Sequence, residues 1–421
     1  MLFQWGVSLN RWCGNRMKYT ILSVGILVVQ LMVQGQLEAQ PSVHHVTNME
    51  PAGSGRIVFV GNSLVEEAGK YGILEWMLQN AWPEKPLTFR NLGWSGDTVE
   101  GRARSYISQP PNPYELLLQQ IDTLKPDLVI VGYGNIEAYE GREGLEKFDI
   151  QLQKLIADID SLGAQVILIS TLPQYPSLDL EIDLTERNQL LELYAHKIRE
   201  VAGRLQVPFI DIFPAFRANA RTLYEANGIH LNAKGYYKMG LTLLEALDVP
   251  APKWHTEIDV REGKIVGASG LYIENQEMTR SHVRFHMTSK IFPVFGEGEN
   301  LNPQQLVVRG LKKGTYALLV NGQHILAASA ADFASGVIIR QGPTFDMARI
   351  VQNMYSEIHD LYFWEYRPLN RTYLVGFRKY EQGQNSYELG LQSLFIERIE
   401  HKINQIYSME PQIFEIVRIN R

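Results

Sequence analysis

Ser63 in GNSLVEEAG, Gly93 in NLGWSGD, Asn135 in YGNIEAYEG and His230 in NGIHLNAKGYY are residues whose types suit acyl transfer. That chemistry needs a hydroxyl nucleophile, a base within hydrogen-bond reach of it, and N–H donors where negative charge develops on the substrate. Ser63 is the candidate hydroxyl and His230 the candidate base. Gly93 offers a backbone N–H and lets the chain approach a ligand closely; Asn135 offers a side-chain amide, and Glu137 travels with it. Each also has an ordinary structural reading. A serine opening a helix is a common N-cap, and a histidine just ahead of Asn-Ala-Lys-Gly flanks a helix start.

Asn227, on the N-terminal side of His230 in the same turn, complicates the base. An aspartate there would accept the imidazole Nδ1–H, free Nε2 for the serine proton and stabilise the imidazolium. Asparagine can take the first role through its carbonyl oxygen. It can also present its NH2 to Nδ1 and select the opposite tautomer, a change that costs about 10⁴ in rate in a serine protease. Asp211 and Glu225 are the alternative acids. The expectation is a Ser63–His230 dyad with Asn227 as orienter.

The elements that must position these groups are read from apolar periodicity. Arg56–Val60, Leu87–Asn91, Asp127–Tyr133, Gln165–Ser170 and Pro208–Ile212 are short apolar runs expected as buried strands. Helical patterns fit between and after them, at Leu64–Asn80, Pro113–Leu124, Gly144–Leu162, Leu184–Leu205 and Ala233–Leu247, and Gly96-Asp97 reads as a further helix opening. Strands joined by helical crossovers imply an α/β fold, a parallel sheet covered on both faces. Ligands of such sheets lie beyond the carboxyl ends of the strands, where Ser63, Gly93, Asn135 and His230 all fall.

Beyond Val249-Pro250-Ala251-Pro252 the texture becomes β. Val283, Phe285 and Met287 alternate with His282, Arg284 and His286, and Asn321-Gly322 between apolar segments is a hairpin signal. A small β-sandwich is expected over 253–340, then a helical and aromatic region over 341–421 that includes a helix at Thr344–His359 and the stretch Leu361–Tyr373. The His282, Arg284, His286 row reads as a solvated strand face in preference to a metal edge, and no metal or organic cofactor is expected.

The 421 residues, 45% apolar and 20% charged, suffice for two cores. The formal charge of -6 comes without a long basic run, which argues against nucleic acid as a partner. Arg11, Arg16 and Lys18 precede an apolar run, Ile21–Val33, followed by Gly35 and Ala39. This is the pattern of a cleaved signal peptide over 1–39, with Met17 as a second possible start and an uncleaved anchor as the alternative. A secreted or periplasmic protein with no stable membrane insertion is expected. The single cysteine, Cys13, lies upstream of the apolar run, so the mature chain would carry no thiol nucleophile.

On its motifs the chain resembles the SGNH (GDSL-type) hydrolases. Gly61-Asn62-Ser63 matches the family's Gly-Asp-Ser, Asn91-Leu92-Gly93-Trp94-Ser95-Gly96 its Asn-x-Gly-x-x-Gly, and Asn227-Gly228-Ile229-His230 its Asp-x-x-His. The third motif, Gly-x-Asn, is met only loosely by Gly134-Asn135-Ile136-Glu137: either Asn135 reaches the site through a shifted turn or Ile136 takes its place. The resemblance implies a flavodoxin-like three-layer α/β/α fold with five parallel strands over about 53–250. It also implies Ser63 as nucleophile, His230 as base, and the Ser63 and Gly93 N–H groups with Asn135 as oxyanion donors. Asn62 and Asn227 depart from the family's aspartates.

The C-terminal region is similar to a secreted bacterial GDSL-type subgroup, through Trp364–Pro368, Tyr373–Arg378 and Glu381–Asn385. Trp94, Glu137, Trp364 and Arg367 are the candidate substrate contacts, since flat aromatics and arginine suit sugar faces and carboxylates. The implied activity is a serine esterase removing small acyl groups, such as acetyl, from carbohydrate. The alternative is a glycan-binding protein whose catalysis has been impaired.

Overall fold

The computed structural model describes residues 55–367 except 84, 105–111, 180, 218–219 and 250–252, together with 389–407 and 411–419. The segment expected as a signal peptide, Pro368, Tyr373–Arg378 and Glu381–Asn385 lie outside the described residues. The five apolar runs form strands β1 (Arg56–Gly61), β2 (Thr88–Asn91), β3 (Leu128–Gly132), β4 (Gln165–Ile169) and β5 (Phe209–Ile210). All pair in parallel, in the order β2-β1-β3-β4-β5. Every residue of β3 is buried, as expected of a strand covered on both faces. The fold is a three-layer α/β/α sandwich of flavodoxin-like strand order, as the motifs imply.

From β1 the chain goes to one side of the sheet for β2 and to the other for β3. The crevice where ligands bind therefore opens between the ends of β1 and β3. There Gly61 faces Gly132, and a Cβ on Gly61 would meet the Gly132 carbonyl oxygen at 2.5 Å.

Helices α1 (Ser63–Glu66), α2 (Ile73–Ala81), α3 (Pro113–Leu124), α4 (Leu145–Ser161), α5 (Thr185–Leu205), α6 (Phe213–Arg217) and α7 (Ala233–Ala246) complete this half. The single helix expected over Leu64–Asn80 is divided: a 3-10 turn follows α1, and Gly72, at φ +59°, starts α2 afresh.

The second half holds β6 (His255–Asp259), β7 (Lys264–Ser269), β8 (Leu271–Thr279), β9 (His282–Ser289) and the short pair β10 (Phe295–Gly296) and β11 (Glu299–Asn300). It continues with β12 (Gln304–Arg309), β13 (Thr315–Val320), β14 (Gln323–Ser329), α8 (Ala330–Ser335), β15 (Val337–Ile339), α9 (Pro343–Tyr366), α10 (Leu389–Tyr407) and β16 (Gln412–Ile419). Two sheets result, β15-β12-β6-β7 and β14-β13-β16-β9-β8. Asn321 and Gly322, both at positive φ, turn β13 into β14.

A boundary at residue 340 does not hold for this region. β16, from the end of the chain, lies between β13 and β9 and pairs with both, so the β region is completed only after the helices have been traversed. The helix expected at Thr344–His359 also runs on through LYFWEY to Tyr366, because its apolar face continues: Ile358, Tyr362 and Tyr366 are buried.

α9 joins the two halves. Tyr355 sets its ring edge-on to Phe89 of β2 at 5.5 Å. Gln352 donates to the carbonyls of Tyr71 (3.0 Å) and Phe295 (2.6 Å) and accepts from the Phe295 N–H (2.9 Å). Close approach requires small residues opposite: a Cβ on Gly72 would meet the Gln352 carbonyl at 2.5 Å, and one on Gly69 would lie 2.2 Å from the His359 ring. Among the described residues no helix is long and apolar enough to cross a membrane.

β16 is integral to its sheet. Phe414 is 3% exposed and stacks on Phe285 of β9 at 5.3 Å. Phe414→Ala should cost about 3–5 kcal/mol, read as a lower urea midpoint at unchanged slope; a loss below about 1 kcal/mol would contradict this packing.

Candidate active site

The turn after β1 explains how a serine is presented. Asn62 has extended dihedrals (φ -90°, ψ -152°), and its Oδ1 accepts the Leu64 N–H at 3.0 Å. Asn62 is thus the N-cap, and Ser63 is the first helical residue, so the capping explanation of Ser63 fails. Ser63 lines a cleft of about 240 Å³ at the crevice. In place of the motif's aspartate, Asn62 keeps the capping oxygen. Its Nδ2 is left buried without a partner among the described residues, a loss of about 1–3 kcal/mol.

The turn after β2 overturns the expectation for Gly93. Its N–H donates to Asn91 Oδ1 (2.8 Å), its carbonyl accepts from the Tyr366 hydroxyl (2.7 Å), and it is buried. Glycine is required there for a different reason: a Cβ would meet the Glu66 N at 2.3 Å, where α1 passes. The glycine that reaches the cleft is Gly96. Trp94 to Asp97 closes a turn through Asp97 N–H to Trp94 O (2.9 Å), with Gly96 at φ +77° in its third position, the position of a type II turn that demands positive φ. Its exposed N–H has no partner among the described residues. The helix expected at Gly96-Asp97 is therefore a turn, and Asp97 anchors it: fully buried, it accepts from Arg104 Nε (2.8 Å), the Ala103 N–H (3.1 Å) and the Tyr133 hydroxyl (3.1 Å).

After β3, Asn135 and Ile136 both line the cleft. Asn135 Oδ1 accepts the Leu172 N–H at 3.0 Å, so the amide is oriented and its Nδ2 is the end left to donate. Glu137 is not a substrate contact. It is 5% exposed, and its two oxygens accept the N–H groups of Val99 (2.8 Å) and Gly134 (2.8 Å), tying the second turn to the third. Burial, opposed by those N–H groups, raises its pKa to about 7.

His230 reaches the cleft from the loop before α7. Asn227 Oδ1 accepts the N–H groups of Ile229 (2.9 Å) and His230 (3.0 Å), and its Nδ2 lies 3.2 Å from His230 Nδ1. Only an oxygen can accept two backbone N–H groups, so the loop itself decides which way the amide faces: NH2 toward Nδ1. That geometry holds the proton on Nε2, the opposite of the expected orienter role.

Neither alternative acid compensates. Asp211 pairs with Arg199 and accepts the Phe213 N–H. Glu225 accepts the Tyr71 hydroxyl at 2.7 Å.

The remaining candidate contacts are structural. Trp94 is buried, with Arg367 3.8 Å and Arg104 5.5 Å from its ring. Arg367 is buried and bonds Glu66 Oε1 at 2.6 Å. Trp364 is 43% exposed and packs edge-on against Phe363, away from the cleft lining. The cleft wall instead includes Tyr139, Leu172 and Gln174, which lie outside the motifs, and Ile229, a variable position within the fourth. Gly96 was findable from the sequence, since Trp-Ser-Gly-Asp is a type II turn signature with glycine third. Among the described residues no group of three or more His, Cys, Asp and Glu is placed to hold a metal ion.

Residues 59–238 match the family model described as GDSL-like Lipase/Acylhydrolase. The structure is similar to that of a gut microbial diltiazem-metabolizing enzyme, with a TM-score of 0.68 at 17% identity over 90% of this chain and 100% of that one, a likeness of fold. With an acetylxylan esterase from Geobacillus stearothermophilus the TM-score is 0.39 at 18% identity, over 48% of this chain and 98% of the other. With a GDSL-like lipase from Bacteroides thetaiotaomicron it is 0.36 at 18%, over 46% and 88%. No curated protein matches in sequence.

The tautomer is directly measurable. Nitrogen-15 shifts of His230 at neutral charge should report a proton on Nε2, moving to Nδ1 in Asn227→Asp; an Nδ1–H form in the unsubstituted protein would contradict the amide orientation.

Proposed function

The α/β half of this chain belongs to the GDSL-like lipase/acylhydrolase family, and from that premise we propose that the protein is a serine esterase acting on small carboxylic esters. Ser63 Oγ attacks the ester carbonyl, and His230 takes its proton and passes it to the departing alcohol. Water then adds to the acyl-serine, releases the acid and restores Ser63. The developing oxyanion is received by the N–H groups of Ser63 and Gly96 and by Asn135 Nδ2. The observation that carries this reading is the shared cleft: Ser63, Gly96, Asn135 and His230 come from four separate segments and all line it.

The size of the cleft, about 240 Å³, favours a short acyl group such as acetyl. Among the described residues its lining carries no carboxylate, lysine or arginine, which favours an uncharged ester. Carbohydrate is the proposed alcohol: the exposed Tyr139 ring at the cleft, backed by Arg187 at 3.6 Å, offers a flat face to a sugar. Export through the N-terminal segment belongs to the same proposal and rests on the sequence pattern alone.

Asn227 makes this a slow esterase. With the proton held on Nε2, His230 must leave its preferred tautomer before it can act as a base. The same orientation favours a second reading, a glycan-binding protein that has kept the pocket and lost turnover.

Single-turnover hydrolysis of p-nitrophenyl acetate separates them. Ser63→Ala should abolish activity, Asn135→Ala should lower kcat by about 10²–10³, and Asn227→Asp should raise it by at least about tenfold toward the 10⁴ that the tautomer costs elsewhere. No serine-dependent turnover even in Asn227→Asp would leave the binding reading.

A further inference from the structure

The end of α9 touches the cleft's supporting turns without entering the cleft. Arg367 Nη2 donates to Glu66 Oε1 at 2.6 Å. Glu66 Oε2 accepts the Ser95 N–H. Glu66 closes α1, the helix that begins at Ser63, while Ser95 directly precedes Gly96. One carboxylate therefore joins the nucleophile's helix to the turn that presents the Gly96 N–H. The guanidinium of Arg367 also lies over the Trp94 ring at 3.8 Å, and the neighbouring Tyr366 hydroxyl donates to the Gly93 carbonyl at 2.7 Å. The turn is held at Gly93 and Trp94 by α9, at Ser95 by Glu66 and at Asp97 by Arg104. Among the described residues only Gly96, at the tip of this turn, is left untied.

Resting on the esterase reading, we propose that Arg367 is a positioning residue for the oxyanion-binding turn, acting through Glu66 and Trp94. Two physical effects follow from its charge and shape. It fixes the Glu66 carboxylate in the geometry that holds Ser95, and it neutralises an anion next to the place where the substrate's own negative charge develops. Removing Arg367 leaves Glu66 as a poorly compensated carboxylate beside that charge, which raises the transition state more than the ground state. The C-terminal region thereby contributes to the chemistry without touching substrate.

The test is steady-state p-nitrophenyl acetate hydrolysis by the full chain, with melting temperature followed in parallel. Arg367→Ala is expected to lower kcat by about tenfold or more while KM stays within about twofold. Arg367→Lys, which keeps the charge and loses the planar guanidinium, should fall between. Adding Glu66→Gln to Arg367→Ala should recover much of the loss, because the amide still accepts from Ser95 and carries no charge; a purely structural arginine would show no such rescue in kcat. Ile350→Ala, exposed on the same helix, serves as the unchanged control.

Wild-type kcat in Arg367→Ala, or a loss confined to KM, would overturn the proposal. If Arg367→Ala does not fold, Arg367→Lys decides: a lowered kcat at near-wild-type melting temperature supports it, and an unchanged kcat overturns it. Full activity in Ser63→Ala would overturn the esterase reading and this inference together. Loss of activity in Ser63→Ala with kcat untouched in the Arg367 variants would overturn this inference alone.

Discussion

Five strands running in one direction impose the constraint from which the site follows. A parallel sheet delivers every strand's carboxyl end to the same edge, and the reversal of strand order between β1 and β3 opens that edge into a crevice. Ser63 and Asn135 leave the two strands that flank the reversal. The glycines facing each other there, Gly61 and Gly132, let those strands end close together. Gly96 and His230 reach the same place from the turn after β2 and the loop before α7.

Bringing turns together is insufficient, because turns have many unpaired backbone groups. Here carboxylates join them: buried Glu137 ties the second turn to the third, buried Asp97 with Arg104 anchors the second, and the half-buried Glu66 links it to α1. Each carboxylate accepts from N–H donors or a guanidinium, which offsets its desolvation; for the fully buried Asp97–Arg104 pair, losing one partner typically costs about 3–5 kcal/mol. Rigidity at the edge is therefore electrostatic in origin, and α9, reaching across from the β region, supplies part of it through Arg367 and Tyr366.

Against this rigid frame the Asn227 amide is a single-atom question. An aspartate in the same rotamer would accept the Ile229 and His230 N–H groups with one oxygen and the imidazole Nδ1–H with the other. Asparagine preserves the first set of bonds, so the loop keeps its shape, and it inverts the polarity of the second. Rotating the amide to correct the tautomer would set NH2 against two N–H donors. The substitution therefore conserves structure and alters chemistry.

Strand positions, most helices, the parallel topology and the Asn321-Gly322 hairpin were legible in the sequence, because they rest on local periodicity and turn preferences. So were Ser63, Asn135 and His230 as the groups brought to one edge. What local pattern did not contain was any relation between distant backbones. Gly93 was misread because its need for glycine comes from α1 passing 2.3 Å from where a Cβ would be, while Gly96 holds the exposed N–H. Trp94, Glu137 and Arg367 looked like ligand contacts by residue type, but their partners turned them inward. β16 joined its sheet across two helices, beyond the reach of any periodicity. The sequence by itself determined which chemical groups the edge would carry; only the tertiary structure decided which of their atoms remained free to act, since a hydrogen bond depends on direction and on partners far along the chain.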